Sequence, residues 1–226
     1  MILCSTSGWT QEDQTTTQKD TTALTKRETY GLRIGLDLSK PIRSFFDDNY
    51  SGFEITSDFR IKKRLYIAAE LGNETNRLEF SNITTSGSGS YIKGGINHNF
   101  YNNWLGERNL IFAGVRLAYA TFDQELESFT INAPDTIFEP DDRTDPIEFD
   151  RLYAFWLEVQ IGLQVEVLSN IFMGINLQIQ NLLTDTAPDN FQNVFIPGFG
   201  EPTDGSNFSI GFGYTISYFI PVLGRK

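Results

Sequence analysis

The chain has 226 residues, and 29 acidic against 18 basic side chains leave a formal net charge of −11. That length suits a single barrel or sandwich domain, and the acidic balance argues against nucleic acid as a partner, because phosphate binding needs a basic face. One Cys and one His exclude a zinc cluster and a CxxC redox pair, and no apolar run reaches the ~18 residues of a transmembrane helix.

Residues 1–10, Met1-Ile-Leu-Cys4 and then small polar residues, read as the remnant of an export signal. Cys4 is either a lipoprotein acceptor or part of a removed signal, and the second reading is favoured because only three residues precede it. Residues 11–28 are rich in Thr, Gln and Asp without periodicity, which predicts a disordered periplasmic lead-in. Residues 29–221 then carry a period-two pattern, and residues 222–226 form a C-terminal tail.

Eight segments alternate, over residues 30–39, 53–61, 65–72, 91–100, 111–120, 153–165, 171–180 and 208–220. In the first, Tyr30, Leu32, Ile34, Leu36 and Leu38 share one face, opposite Gly31, Arg33, Gly35, Asp37 and Ser39. The sixth is the cleanest, with Tyr153, Phe155, Leu157, Val159, Ile161, Leu163 and Val165 opposite Ala154, Trp156, Glu158, Gln160, Gly162 and Gln164. An even strand count is what a closed antiparallel barrel of this type requires.

Period two does not say which face is wet, since soluble and membrane barrels share the pattern with opposite polarity. Volume decides it. The apolar faces hold 40 side chains, and the interior of an eight-stranded barrel has room only for its own side chains or one small ligand. The other faces carry nine glycines, among them Gly72, Gly95, Gly114 and Gly162, which suit a crowded lumen. The predicted fold is therefore all-β: an eight-stranded antiparallel up-and-down transmembrane barrel, greasy outside and polar within.

The polar faces place Arg33, Asp37, Glu54, Asp58, Arg60, Glu70, Lys93, Arg116 and Glu158 inside, where cations and carboxylates form an ion-pair network filling the lumen. The connections alternate in length: residues 40–52, 73–90, 122–152 and 181–207 are long, whereas Lys62-Lys63-Arg64 and Leu168-Ser169-Asn170 are tight turns. Outer-membrane barrels have short periplasmic turns and long extracellular loops. Tyr30, Phe100, Trp104, Tyr119, Tyr153, Phe208 and Tyr218 fall near strand ends, as interfacial aromatic girdles do.

The stretches Tyr30-Gly-Leu-Arg-Ile-Gly-Leu-Asp-Leu-Ser-Lys-Pro-Ile-Arg-Ser44, Gly52-Phe-Glu-Ile55, Tyr66-Ile-Ala-Ala-Glu-Leu-Gly72, Tyr91-Ile-Lys-Gly-Gly95 and Asn103-Trp-Leu-Gly106 resemble a family of small outer-membrane β-barrels from Bacteroidota. The resemblance covers residues 28–220 and carries no catalytic motif. More distantly, the architecture is similar to the eight-stranded barrels of the OmpA and OmpX type. The resemblance implies an outer-membrane location and partners in outer-membrane lipid, lipopolysaccharide and a larger outer-membrane protein complex.

No enzyme chemistry stands out. His98 ends the fourth segment on the outward face, on the periplasmic side, and is expected to anchor the interface rather than catalyse. No cofactor is expected. The connection after the fifth segment holds ten carboxylates against Arg143 and Arg151. Within it Glu139, Asp141, Asp142 and Asp145 could collect a hard cation, but the Gly-centred spacing of an EF-hand is missing, and a solvated acidic loop is favoured. Thr136 in Asp135-Thr-Ile137 and Thr186 in Asp185-Thr-Ala187 match the Asp-Ser/Thr-apolar triad of Bacteroidota O-glycosylation. Residues 191–200, rich in Phe, Gly and Pro, either fold back on the barrel rim or face a partner. The expected role is non-enzymatic: a structural or partner-binding outer-membrane protein acting through its outside loops, with a narrow pore or small-solute transporter, then a lipid-modifying enzyme, as alternatives.

Overall fold

The computed structural model describes residues 29–102, 108–131, 141–143, 145–187, 191–202 and 206–224. Strand β1 (Thr29–Asp37) leads into helix α1 (Ser39–Phe46), followed by β2 (Tyr50–Lys62), β3 (Leu65–Glu79), β4 (Ile83–Asn99) and β5 (Leu110–Ile131). A short strand, β6 (Asp141–Arg143), precedes β7 (Ile147–Leu168), β8 (Ile171–Asp185) and β9 (Phe208–Gly224). Each long strand pairs antiparallel with the next, β5 pairing directly with β7 while β6 adds to the far end of β5. The ladder of β1 with β9 closes the ring, so the long strands form the expected eight-stranded up-and-down barrel.

The alternation has the expected polarity. Along β7 the odd-numbered Tyr153, Phe155, Leu157, Val159, Ile161 and Leu163 are exposed, while Ala154, Trp156, Glu158 and Gln160 are buried. In β1, Arg33 and Asp37 are buried and Ile34 and Leu36 exposed. Of the aromatic residues expected at the interfaces, Phe100, Tyr153, Phe208 and Tyr218 are exposed; Trp104 lies outside the described residues.

Several expected boundaries move. Residues 73–90, read as a long connection, are mostly sheet: β3 runs to Glu79 and β4 starts at Ile83. The same holds for residues 122–131 and 147–152, which belong to β5 and β7. These extensions lie beyond the stretch of wall whose outward side chains are apolar. Hydroxyl and amide pairs replace apolar contacts there: Thr75 Oγ1 lies 2.9 Å from Ser88 Oγ, and Asn73 donates to the Gly89 carbonyl at 2.9 Å. With both faces of β3 and β4 polar there, no hydrophobic period marks those strands, whereas the β5 and β7 extensions bury Phe122, Leu126 and Leu152. β9 likewise runs to Gly224, past the expected barrel end at residue 221. Part of the first long connection is helix α1, with Pro41 in its first turn, where the missing N–H costs no bond.

Two adjacent glycines of β4 show how unequal the two faces are. A Cβ on Gly95, facing inward, would collide with the Val115 carbonyl oxygen, whereas one on outward-facing Gly94 would meet nothing within 4 Å. Gly95→Val should therefore cost about 1–3 kcal/mol through overpacking and lower the thermal midpoint in detergent, with Gly94→Val as the unchanged control. Equal midpoints for both variants would contradict this wall geometry.

Candidate functional site

The lumen is built around Lys93, which is 1 % exposed. Neighbouring strands deliver carboxylates to one level: Glu70 of β3 is directly opposite Lys93, and Arg116 of β5 is opposite Glu158 of β7. Lys93 Nζ lies 3.1 Å from Glu158, 3.7 Å from Glu70 and 3.9 Å from Glu54 of β2. Arg116 donates to Glu70 at 3.1 Å and to the carbonyl of Ile96, also at 3.1 Å. Tyr91 donates to Glu54 at 2.5 Å, and Gln180 to Glu158 at 3.1 Å. Buried charges survive only when paired and hydrogen-bonded in this way.

The other residues expected inside sit apart from that hub. Arg33 and Asp58 form their own pair at 2.5 Å nearer the tight turns, with the guanidinium between the rings of Tyr66 and Phe172. Arg60 donates to the carbonyls of Lys62 and Lys63 and lies over Tyr30. Asp37 accepts from the backbone N–H groups of Ser39, at the start of α1, and Tyr214 of β9, and among the described residues it forms no ion pair.

A second tier was not visible in the sequence pattern. Lys40 of α1 reaches into the barrel mouth and pairs with Glu74, and lies 3.9 Å from Glu54. Glu74 also accepts from the Tyr50 hydroxyl at 2.9 Å and from the Gly198 N–H at 2.8 Å, tying α1, β2, β3 and the last long loop together. Burial disfavours the Lys40 ammonium, but the attraction of Glu74 and Glu54 outweighs it and holds the pKa above the ordinary lysine value.

Residues 191–200 fold into the mouth as a plug. Phe195, Ile196, Pro197 and Phe199 are buried, and Phe199 meets Trp156 edge-on with centroids 5.9 Å apart. The plug turns on itself: the Ile196 carbonyl accepts from Phe199 and Gly200 N–H, and Gly198 and Gly200 take positive φ. Gly198 rests on the Tyr91 ring, where a Cβ would stand 2.6 Å from ring carbon. Ala118, Ala120 and Ala154 supply the space, and Gln124 clamps the loop through Val194 N–H and the Gln192 carbonyl.

The opposite end is also filled. Phe172 and Phe219 are buried there with ring centroids 6.4 Å apart, and Arg108 lies over Phe219. Between the two closures a polar cavity of about 50 Å³ is lined by Asp58, Glu70, Asn97, Arg116, Gln164 and Asn176. It has room for a few waters and no more.

The remaining candidates fall outside this centre. His98 points outward beside Phe100, with ring centroids 4.9 Å apart, near the tight-turn end. Asp145 is exposed, Asp141 and Asp142 lie in β6, and Glu139 and Thr136 are outside the described residues. Thr186 is half-buried, its N–H donating to the Tyr153 carbonyl and its carbonyl accepting from Asn193.

Over residues 1–225 the sequence matches a family model described as a domain of unknown function, DUF6048. The chain belongs to the DUF6048 family. No curated protein matches it. Among solved structures it is similar to that of Ail, the attachment invasion locus protein of Yersinia pestis, at 9 % identity, covering 84 % of this chain and 94 % of that one with a TM-score of 0.39. A likeness at that level carries no argument, and the barrel assignment for this DUF6048 chain stands on its own ladders.

Replacing Arg116 with Ala leaves Glu70 buried beside one cation fewer, a change expected to cost ~3–5 kcal/mol. The thermal midpoint should fall well below that of the wild type, and a midpoint within error of the wild type would contradict a structural role for the hub.

Proposed function

We propose that this protein is an outer-membrane β-barrel of a Bacteroidota-type envelope that binds a partner at its loop end and neither conducts solutes nor catalyses a reaction. The observation that carries the reading is the pairing of an apolar outer wall with a filled lumen. Ile67, Leu71, Ile92, Leu117, Ile161, Ile175 and Phe212 are exposed around the ring, where water would penalise them and lipid would not. Inside, among the described residues, the plug, the Lys93 hub and the Phe172–Phe219 pair fill the lumen at three levels.

Charge supports an orientation. The tight-turn end carries Arg60, Lys62, Lys63, Arg64 and Arg108, whereas the loop end exposes Asp48, Glu79, Asp123, Glu148, Asp150, Asp185 and Glu201. Short turns belong to the periplasmic side of such barrels, so the acidic end faces out. It suits a cationic protein surface in a larger outer-membrane complex, or lipopolysaccharide bridged by divalent ions.

Two measurements test this. In planar bilayers the wild type should give no large steady current, and a variant with Phe195, Ile196 and Phe199 replaced by Ser should leak more; a steady wild-type channel would favour the pore alternative. In mild detergent from native membranes a partner should co-purify at low salt and be lost as ionic strength rises, because contacts between exposed charges are screened beyond about 10 Å at 0.1 M salt. Recovery of the barrel alone at every salt concentration would remove the partner-binding role.

A further inference from the structure

The barrel wall is incomplete on one side, and the opening leads to a pocket. The β1–β9 ladder ends at Asp37 and Thr215, but β9 continues along β8 to Phe208. Tyr214 is the last residue capped from the β1 side, its carbonyl taking the Leu38 N–H at 2.6 Å and its N–H donating to Asp37 at 3.2 Å. By strand geometry the alternate residues Phe212 and Ile210 direct their backbone groups the same way, beyond the end of β1.

Helix α1 does not close this gap, because it is fastened to β2. Ser44 Oγ accepts the Gly52 N–H at 3.0 Å, and the Arg43 guanidinium lies 4.0 Å from the centroid of the Tyr50 ring. The free edge lies within the apolar band: Ile210 and Phe212 are 73 % and 66 % exposed and stand beside Ile179 and Leu177 of β8. On the other side, Ser39, Lys40, Ile42 and Arg43 of α1 border the opening.

A cavity of about 510 Å³ occupies the gap, within the size range of small-molecule sites. Ile42 and Phe212 line it, and inward it reaches Phe199 of the plug, Lys40 and Gln180. Gln180 is 2 % exposed, and its Oε1 has no hydrogen-bond partner. A buried acceptor without a donor is costly. A guest with a donor-bearing head and an apolar chain fits both that acceptor and the apolar part of the lining.

We propose that this pocket binds a single-chain amphiphile drawn from the surrounding lipid, its acyl chain lying against Ile42 and Phe212 and its hydroxyl- or amide-bearing head directed to Gln180 and Lys40. The proposal rests on the membrane reading above. A protein strand added to the β9 edge fits less well, since the open stretch spans only residues 208–214 and a flat strand would leave the inner part of the cavity empty.

The test uses the barrel reconstituted in phosphatidylcholine vesicles with a trace of lysophosphatidylethanolamine carrying a photoreactive diazirine in its chain. After illumination, label should concentrate on peptides containing residues 39–43, 178–180 and 208–214, and excess unlabelled lysolipid should remove it. Gly211→Phe fills the pocket, since a Cβ there has Gln178 Oε1 as its nearest neighbour at 3.0 Å, and should cut that labelling by about tenfold or more. Gly94→Phe, which adds the same ring to the open outer face, should leave labelling unchanged. Label spread evenly around an inserted barrel, or wild-type labelling that excess lysolipid does not compete, would overturn the pocket while sparing the membrane reading. Polypeptide cross-linked to β9 in native membranes would give the edge to a protein strand, and failure to insert at all would overturn both readings.

Discussion

A ring of eight strands encloses too little space for bulk water, so an inward charge must find its partners among the other groups of the barrel. Lys93 meets that constraint most fully, facing Glu54, Glu70 and Glu158 from three other strands. The hub therefore works as a register gauge. A one-residue slip of β4 would turn Lys93 into the apolar surroundings and bring Ile92 or Gly94 to the carboxylates. Closure, register and the filled lumen are three aspects of one requirement.

The same requirement explains the layered interior. Near the tight turns, Arg33 is held by Asp58 and by two aromatic faces. In the middle, the hub and its amides fill the section. At the mouth the wall residues shrink to Ala118, Ala120 and Ala154, and a loop supplies the missing bulk. Each layer solves the same volume problem with different chemistry.

The parts of this arrangement that were legible in the sequence are those touching the apolar exterior. Residues such as Leu157, Val159 and Ile161 alternate with Trp156, Glu158 and Gln160 because one face must be greasy, and that sets both strand and polarity. Above the band the signal fades, and Glu74 and Asn76, buried in a strand, look like loop residues. Helix α1 left a trace in Ile42, Phe45 and Phe46 at helical spacing behind Pro41, but eight residues between two strong strands read as a connection. The pairing of Lys40 with Glu74 joins residues whose proximity only the closed ring creates. The plug left its Phe, Gly and Pro composition, and the direction it folds depended on alanines far away in the chain.

That plug also has a bearing on assembly. It lies between β8 and β9, so the piece that completes the mouth belongs to the final hairpin and is made after every strand it packs against except β9. Until it arrives, Trp156 and Tyr91 border a hollow and Glu74 lacks the Gly198 N–H. Sealing the seam between the first and last strands and stoppering the vessel thus both draw on the C-terminal end of the chain, through long-range contacts of the kind that make β topologies slow. A chain truncated before residue 191 would lack the cork and the closing stave together.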